Sequence, residues 1–207
     1  MTETGGEQDS VPDQRRVQIL AQDRVFDGFL AIDRYTIIHE QHNGSLSEPI
    51  TRLVLERGDA AAVLPYDPQT GRLVLVRQFR LPAFVRGDAG WLWELIAGTC
   101  ETGRAPEEVA RSEALEEAGY RLGALHPLMT IYPSPGGSSE RIWLYWADLR
   151  QSQRVAPGGG LPQSGEDIQA AIFSLDEALA MVRAGAIMDA KTIIALQHIA
   201  LAGETLR

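Results

Sequence analysis

The chain has 207 residues, 44% of them hydrophobic, enough to bury one sizeable core with at most a smaller extension. Its formal net charge of -9, from 19 Lys and Arg against 28 Asp and Glu, argues against broad binding to a nucleic-acid backbone, which needs a basic stripe; a small anionic ligand bridged by metal is easier to accommodate. A single cysteine, Cys100, excludes an intrachain disulfide and a Cys-rich zinc site, and no apolar run approaches the ~18 residues of a membrane span.

Residues 1 to about 14 have almost nothing to bury and are predicted to be a disordered tail; their acidic start, MTETGGEQDS, is no signal peptide, so a reducing cytoplasm is the expected location. Residues 15–58 carry the β-branched and aromatic runs VQILAQDRVFDGFLAIDRYTIIHE and ITRLVLERG, separated by polar turns, which predict an antiparallel β-rich region. From Asp59 to the end a second region of mixed strands and helices begins with the hairpin AAAVLPY and RLVLVRQF across the turn DPQTG. WLWELIAG then leads into a helix that starts near Pro106 and stops at Gly119, with Val109, Ala110, Ala114 and Ala118 as its small apolar face. RIWLYWADL reads as a strand with one face buried, and VAPGGGLPQSGEDI as a mobile loop before the short strand IQAAIF. Ser174 with Glu177 marks a capping box, and Asp189 the N-cap of a last helix that Gly203 ends.

Within the first of these helices Glu113, Glu116 and Glu117 share one stripe, and the last two lie in the final turn, where the helix dipole disfavours carboxylates. Repulsion of that kind calls for a cation. Carboxylates suit a hard divalent ion such as Mg²⁺, with Mn²⁺ as a substitute, better than a metal that prefers thiolates. The four histidines are dispersed and suggest no imidazole cluster.

Gly98, Glu113, Ala114, Glu116, Glu117, Gly119 and Tyr120 fall on the spacing G-x5-E-x7-R-E-U-x-E-E-x-G-U, so the chain resembles the Nudix hydrolase superfamily. LERGDAAAVLPYDP, RQFRLP, WLWELIAG, YPSPGGSSER and GEDI, with Pro135 fifteen residues past Tyr120, are similar to its ADP-ribose pyrophosphatase branch, and nucleotide-sugar hydrolases including a GDP-mannose branch look alike. The resemblance implies an α/β/α sandwich with a mixed sheet, preceded by the antiparallel extension. It implies Mg²⁺ held by Glu113, Glu117 and the carbonyl of Ala97, with Glu116 sharing or supporting. For a nucleoside diphosphate sugar it points to Arg80 and Arg52 on phosphates and ribose, the Ser134-Pro135-Gly136 loop, Glu140 orienting hydroxyls or an arginine, and Phe29 stacking on the base. This branch forms homodimers through its N-terminal region, and no nucleic-acid or membrane partner is implied.

Three positions depart from the pattern. Arg104 stands in place of a Glu, where it is expected to pair with Glu107 or Glu108 on the surface. Ser112 stands in place of the Arg before the first metal glutamate, and Arg111 points elsewhere because one residue turns about 100° around a helix. Ser164 occupies the place of the branch's general-base glutamate, which leaves Glu166 as the carboxylate able to serve as base or further metal ligand. Two functions stay open on these residues: an Mg²⁺-dependent pyrophosphatase releasing AMP and ribose 5-phosphate from ADP-ribose, and a Nudix-fold sensor that binds a nucleotide sugar without useful turnover.

Overall fold

A computed structural model describes residues 15–161, 163 and 165–203, in two compact units that divide between Glu56 and Arg57. The expected tail, residues 1–14, and Ser164 lie outside the described residues.

In the first unit β1 (Val17–Asp27), β2 (Ala31–His39) and β3 (Ile50–Glu56) form an antiparallel sheet in that order. Asp33 on β2 is buried, yet it is not a lone charge: Arg24 on β1 donates to it from Nε at 2.8 Å and from Nη2 at 3.2 Å, which holds its carboxyl below the usual range. β1 is exposed along its whole length, including Val17, Ile19 and Phe26.

The second unit is built on a seven-stranded mixed sheet. β4 (Ala60–Asp67) and β10 (Ile142–Asp148) run parallel at its centre, flanked by β5 (Arg72–Phe79), β9 (Leu125–Ile131) and β12 (Gln169–Ser174), while β6 (Trp91–Glu94), reached from β5 through the one-turn helix α1 (Leu81–Phe84), pairs with β5 and β7 (Ile96–Thr99) with β4. Successive residues of a strand face opposite ways, and β4 and β5 use both faces. Ala62, Leu64, Leu73 and Leu75 pack against one layer made by α3 (Leu175–Arg183) and α4 (Ala190–Ala202), through Ala178, Ala195, Leu196 and Ile199. Ala61, Val63, Val74 and Val76 face the other layer, α2 (Pro106–Ala118), through Val109, Ala110, Ala114 and Ala118. The result is the expected α/β/α sandwich, with the antiparallel sheet at its N-terminal side of the chain.

The helix ends follow the local chemistry. Gly119 adopts φ 74°, a left-handed C-cap; Ser174 accepts from Glu177 N–H, whose carboxylate accepts in return from Ser174 N–H; and Asp189 accepts from Thr192 N–H. β10 differs from its expectation. It is buried on both faces, because a central strand parallel to β4 is covered by both layers.

Candidate active site

The small apolar face of α2 lies on the sheet and carries its acidic stripe to the rim beside β7. Glu117 is 5% exposed, and its Oε2 accepts a hydrogen bond from Ala97 N–H at 3.2 Å. Ala97 pairs with Ala62 of β4 on one edge of β7; its N–H leaves on the other edge. The N–H and C=O of one strand residue leave on the same edge, so the Ala97 carbonyl is also directed away from β4 and towards the acids. Gly98 makes room for the next carboxylate, since a Cβ there would lie 2.2 Å from Glu113 Oε1. Two of the acids thus approach two adjacent backbone residues, Glu117 at Ala97 and Glu113 at Gly98.

The glycine-rich segment after β11 (Gln153–Arg154), which pairs with β8 (Tyr120–Arg121), closes over the end of α2. Gly159 N–H donates to Glu117 O at 2.9 Å and Gly160 N–H to Glu116 O at 3.1 Å, so carbonyls that the helix leaves unpaired are satisfied by the segment expected to be a mobile loop. Gly158 has to be glycine: φ is 73° and a Cβ would meet the Glu117 carbonyl oxygen at 2.6 Å. Farther along, Glu166 folds back over Gly160 and accepts from Leu161 N–H at 2.8 Å.

Four carboxylates act on one another here. Burial pushes Glu117 up to about 8, with the Glu113 charge adding to it, and burial pushes Glu113 up to about 7, with Glu116 and Glu166 adding. Glu116 is raised by burial and by Glu166. Among the described residues no three acids, imidazoles or thiols are grouped closely enough to hold an ion as they stand. The donors nevertheless fit a hard dication in kind: they are oxygens only, partly desolvated, and burdened with a repulsion that a cation relieves.

Residues 56–196 match the NUDIX domain family. The chain belongs to the Nudix family. It is 36% identical over 192 residues to an ADP-ribose pyrophosphatase of Escherichia coli (strain K12), covering 92% of this chain and 91% of that protein. A GDP-mannose pyrophosphatase of Pectobacterium atrosepticum is 37% identical over 188 residues, 90% of this chain and 95% of the relative. Another, from Cronobacter sakazakii, is 42% identical over 153 residues, 73% and 78% of the two chains. The fold matches a solved structure described as "Crystal structure of ADP compounds hydrolase", with a TM-score of 0.68, 17% identity, and coverage of 90% of this chain and 93% of that one.

The departures from the Nudix box have a local geometry of their own. Arg104 Nη2 donates to Ser112 Oγ at 2.8 Å, and that hydroxyl donates in turn to Val109 O at 2.9 Å. The ion partner of Arg104 is Glu101, at 4.0 Å, in place of the expected Glu107 or Glu108, while its Nη2 is engaged by Ser112. Its charge opposes the upward push on Glu113. Arg111 does point elsewhere, donating to the carbonyls of Leu122 and Gly123 at 3.0 and 2.7 Å.

Arg80, at the end of β5, binds Glu94 of β6 with both Nε (2.7 Å) and Nη2 (2.9 Å), and its charge reaches Glu117. Ser134 and Gly136 lie in the turn after β9, where Ser134 O accepts from Gly137 and Ser138 N–H. Glu140 is buried and accepts from Arg57 Nη1 at 3.0 Å, so it orients an arginine. Arg52 and Phe29 belong to the N-terminal unit: Arg52 on β3 is exposed and donates to Thr51 O, and Phe29 in the β1–β2 turn is 100% exposed, outside the packing of that unit's own sheet. Sequence reasoning missed Glu94, Arg57 and Lys191. For Glu94 a signal existed, because one acid inside the apolar run WLWELI must be buried and needs partners.

Proposed function

We propose that the chain hydrolyses the diphosphate bridge of ADP-ribose, with Mg²⁺, to AMP and ribose 5-phosphate. The observation that carries this reading is the set of mutually repelling carboxylates, Glu113, Glu116, Glu117 and Glu166, with Glu117 on the N–H of Ala97 and Glu113 against Gly98. The ADP-ribose pyrophosphatase relative, matched over 92% of the chain, supports the substrate.

In this reading Glu113, Glu117 and the Ala97 carbonyl hold Mg²⁺, or Mn²⁺ in its place, with Glu116 in support. The chemistry that a bound dication supplies is neutralisation of the diphosphate and acidification of the attacking water. Glu166 accepts the proton from that water once it leaves Leu161 N–H. Arg80 uses one guanidinium edge on Glu94 and keeps Nη1 for a phosphate oxygen. Ser134 and Gly136 shape the loop over the sugar, Glu140 with Arg57 fixes its hydroxyls, and Arg52 and Phe29 contribute phosphate and base contacts from the N-terminal unit. That unit also forms the interface of a homodimer. A single cysteine, which leaves no intrachain disulfide to form, suits the cytoplasmic site of action of this reading.

The deciding experiment is product analysis with ADP-ribose, with and without Mg²⁺, beside GDP-mannose. AMP release that requires Mg²⁺ and falls by about 10²- to 10⁴-fold in Glu166→Gln supports the reading and its base. Tight ADP-ribose binding with no product above a Glu117→Gln control identifies a sensor instead. The GDP-mannose pyrophosphatase relatives favour a second reading, and faster turnover of GDP-mannose than of ADP-ribose would establish it.

A further inference from the structure

Behind Arg80 runs a buried chain of charges. Glu94 is 2% exposed, and its Oε2 accepts from Arg80 Nη2 and also from Lys191 Nζ at 2.6 Å. Lys191, 9% exposed in the first turn of α4, donates a second bond to Asp189 Oδ1 at 2.9 Å. The other oxygen of Asp189 caps the helix at Thr192 N–H (3.0 Å) and accepts from the Thr192 hydroxyl, which itself accepts from Leu95 N–H at 2.8 Å. Two cations and two anions therefore balance, and two adjacent residues, Glu94 and Leu95, are clamped by one helical turn that lies 97 residues away in the chain.

Stability alone is a poor reason for this arrangement, since apolar residues of similar volume replace buried ion networks at little cost. What the network supplies is orientation. A carboxylate held by Arg80 alone can swing about its last torsion and carry the guanidinium with it; a third donor on Oε2 fixes its plane. We propose that Lys191 is a positioning residue for substrate, acting through Glu94 to aim the free edge of Arg80 at the diphosphate. The inference rests on the reading of Arg80 as a substrate arginine given above. Ala97 lies two residues beyond Leu95, so the same turn of α4 steadies both the phosphate arginine and the carbonyl assigned to the metal.

The test is a double-mutant cycle on kcat/KM for ADP-ribose with Mg²⁺. Lys191→Met should lower kcat/KM by about 10- to 100-fold, the usual size of an outer-shell effect. In an Arg80→Lys background the same change should cost far less, because a lysine has no planar fork to aim. An equal loss in both backgrounds would make Lys191 a general structural residue and overturn the inference. Should Lys191→Met fail to fold, Lys191→Arg, which keeps the charge, serves in its place. The Nε–H resonance of Arg80, assigned by its disappearance in Arg80→Lys, reads the link without substrate: it should shift in Lys191→Arg, and an unmoved resonance would refute the proposal. A wild-type protein unable to release AMP from ADP-ribose sinks the proposed function, while that resonance still decides the role of Lys191.

Discussion

The hydrogen bond from Arg104 to Ser112 places a fixed cation next to Glu113, the first carboxylate of the stripe. An acid at 104 would add a fifth negative charge to the group, and an arginine at 112 would set two guanidiniums against each other. Arg104→Glu and Ser112→Arg should each lower kcat/KM by about tenfold, within the ~0.5 to 3 kcal/mol that touching side chains exchange in such cycles. The double variant, which replaces the arginine–hydroxyl hydrogen bond with an opposite-charge pair between the same two positions, should recover most of the loss. Additive losses would show that the two positions are independent. Spacing made the carboxylates legible, because a helix fixes which residues share a face. It could not show that Arg104 folds back on Ser112, which depends on the loop path between β7 and α2. The partners of Arg80 were hidden for a similar reason, since Lys191 meets Glu94 only through tertiary packing.

At the level of the element, α2 carries a pH dependence. Glu113 and Glu117 release their protons near the ordinary 4.5 in the unfolded chain, but at about 7 and about 8 in the folded one. Between those limits the folded state binds more protons, so stability declines as pH rises and the penalty is complete above about 8. The lowered carboxyls of Asp33, Asp59 and Asp148 act below the ordinary range and leave this window untouched. The melting temperature of chelator-treated protein should fall between about pH 5 and pH 8, and added Mg²⁺ should raise it more at pH 8 than at pH 6. A flat profile would mean that the acids do not share a site. α2, α3 and α4 were readable from their caps, where local chemistry decides. The two-residue strands β8 and β11 were not, because a pairing that short leaves no period in the sequence. β10 misled in a different way: alternation reports one covered face, and its second cover comes from distant helices.

For the whole molecule, the N-terminal sheet poses the clearest question. A three-stranded sheet is near the minimum that stands in water, and this one exposes Val17, Ile19, Phe26 and Leu53 by more than half each. Sedimentation should therefore give a dimer, and Ile19→Asp with Phe26→Asp should yield monomers with weakened turnover if Phe29 and Arg52 act on substrate. A monomeric wild type would exclude that assembly. The order of synthesis adds a consequence of the clamp between α4 and Glu94. The strand that bears Glu94 leaves the ribosome long before Lys191 is made, so a buried carboxylate and the arginine beside it must wait for a helix near the far end of the chain. A contact of such sequence separation is slow to close. The site should thus be among the last parts of the protein to acquire its final order during folding, after the central sheet and α2 have already packed.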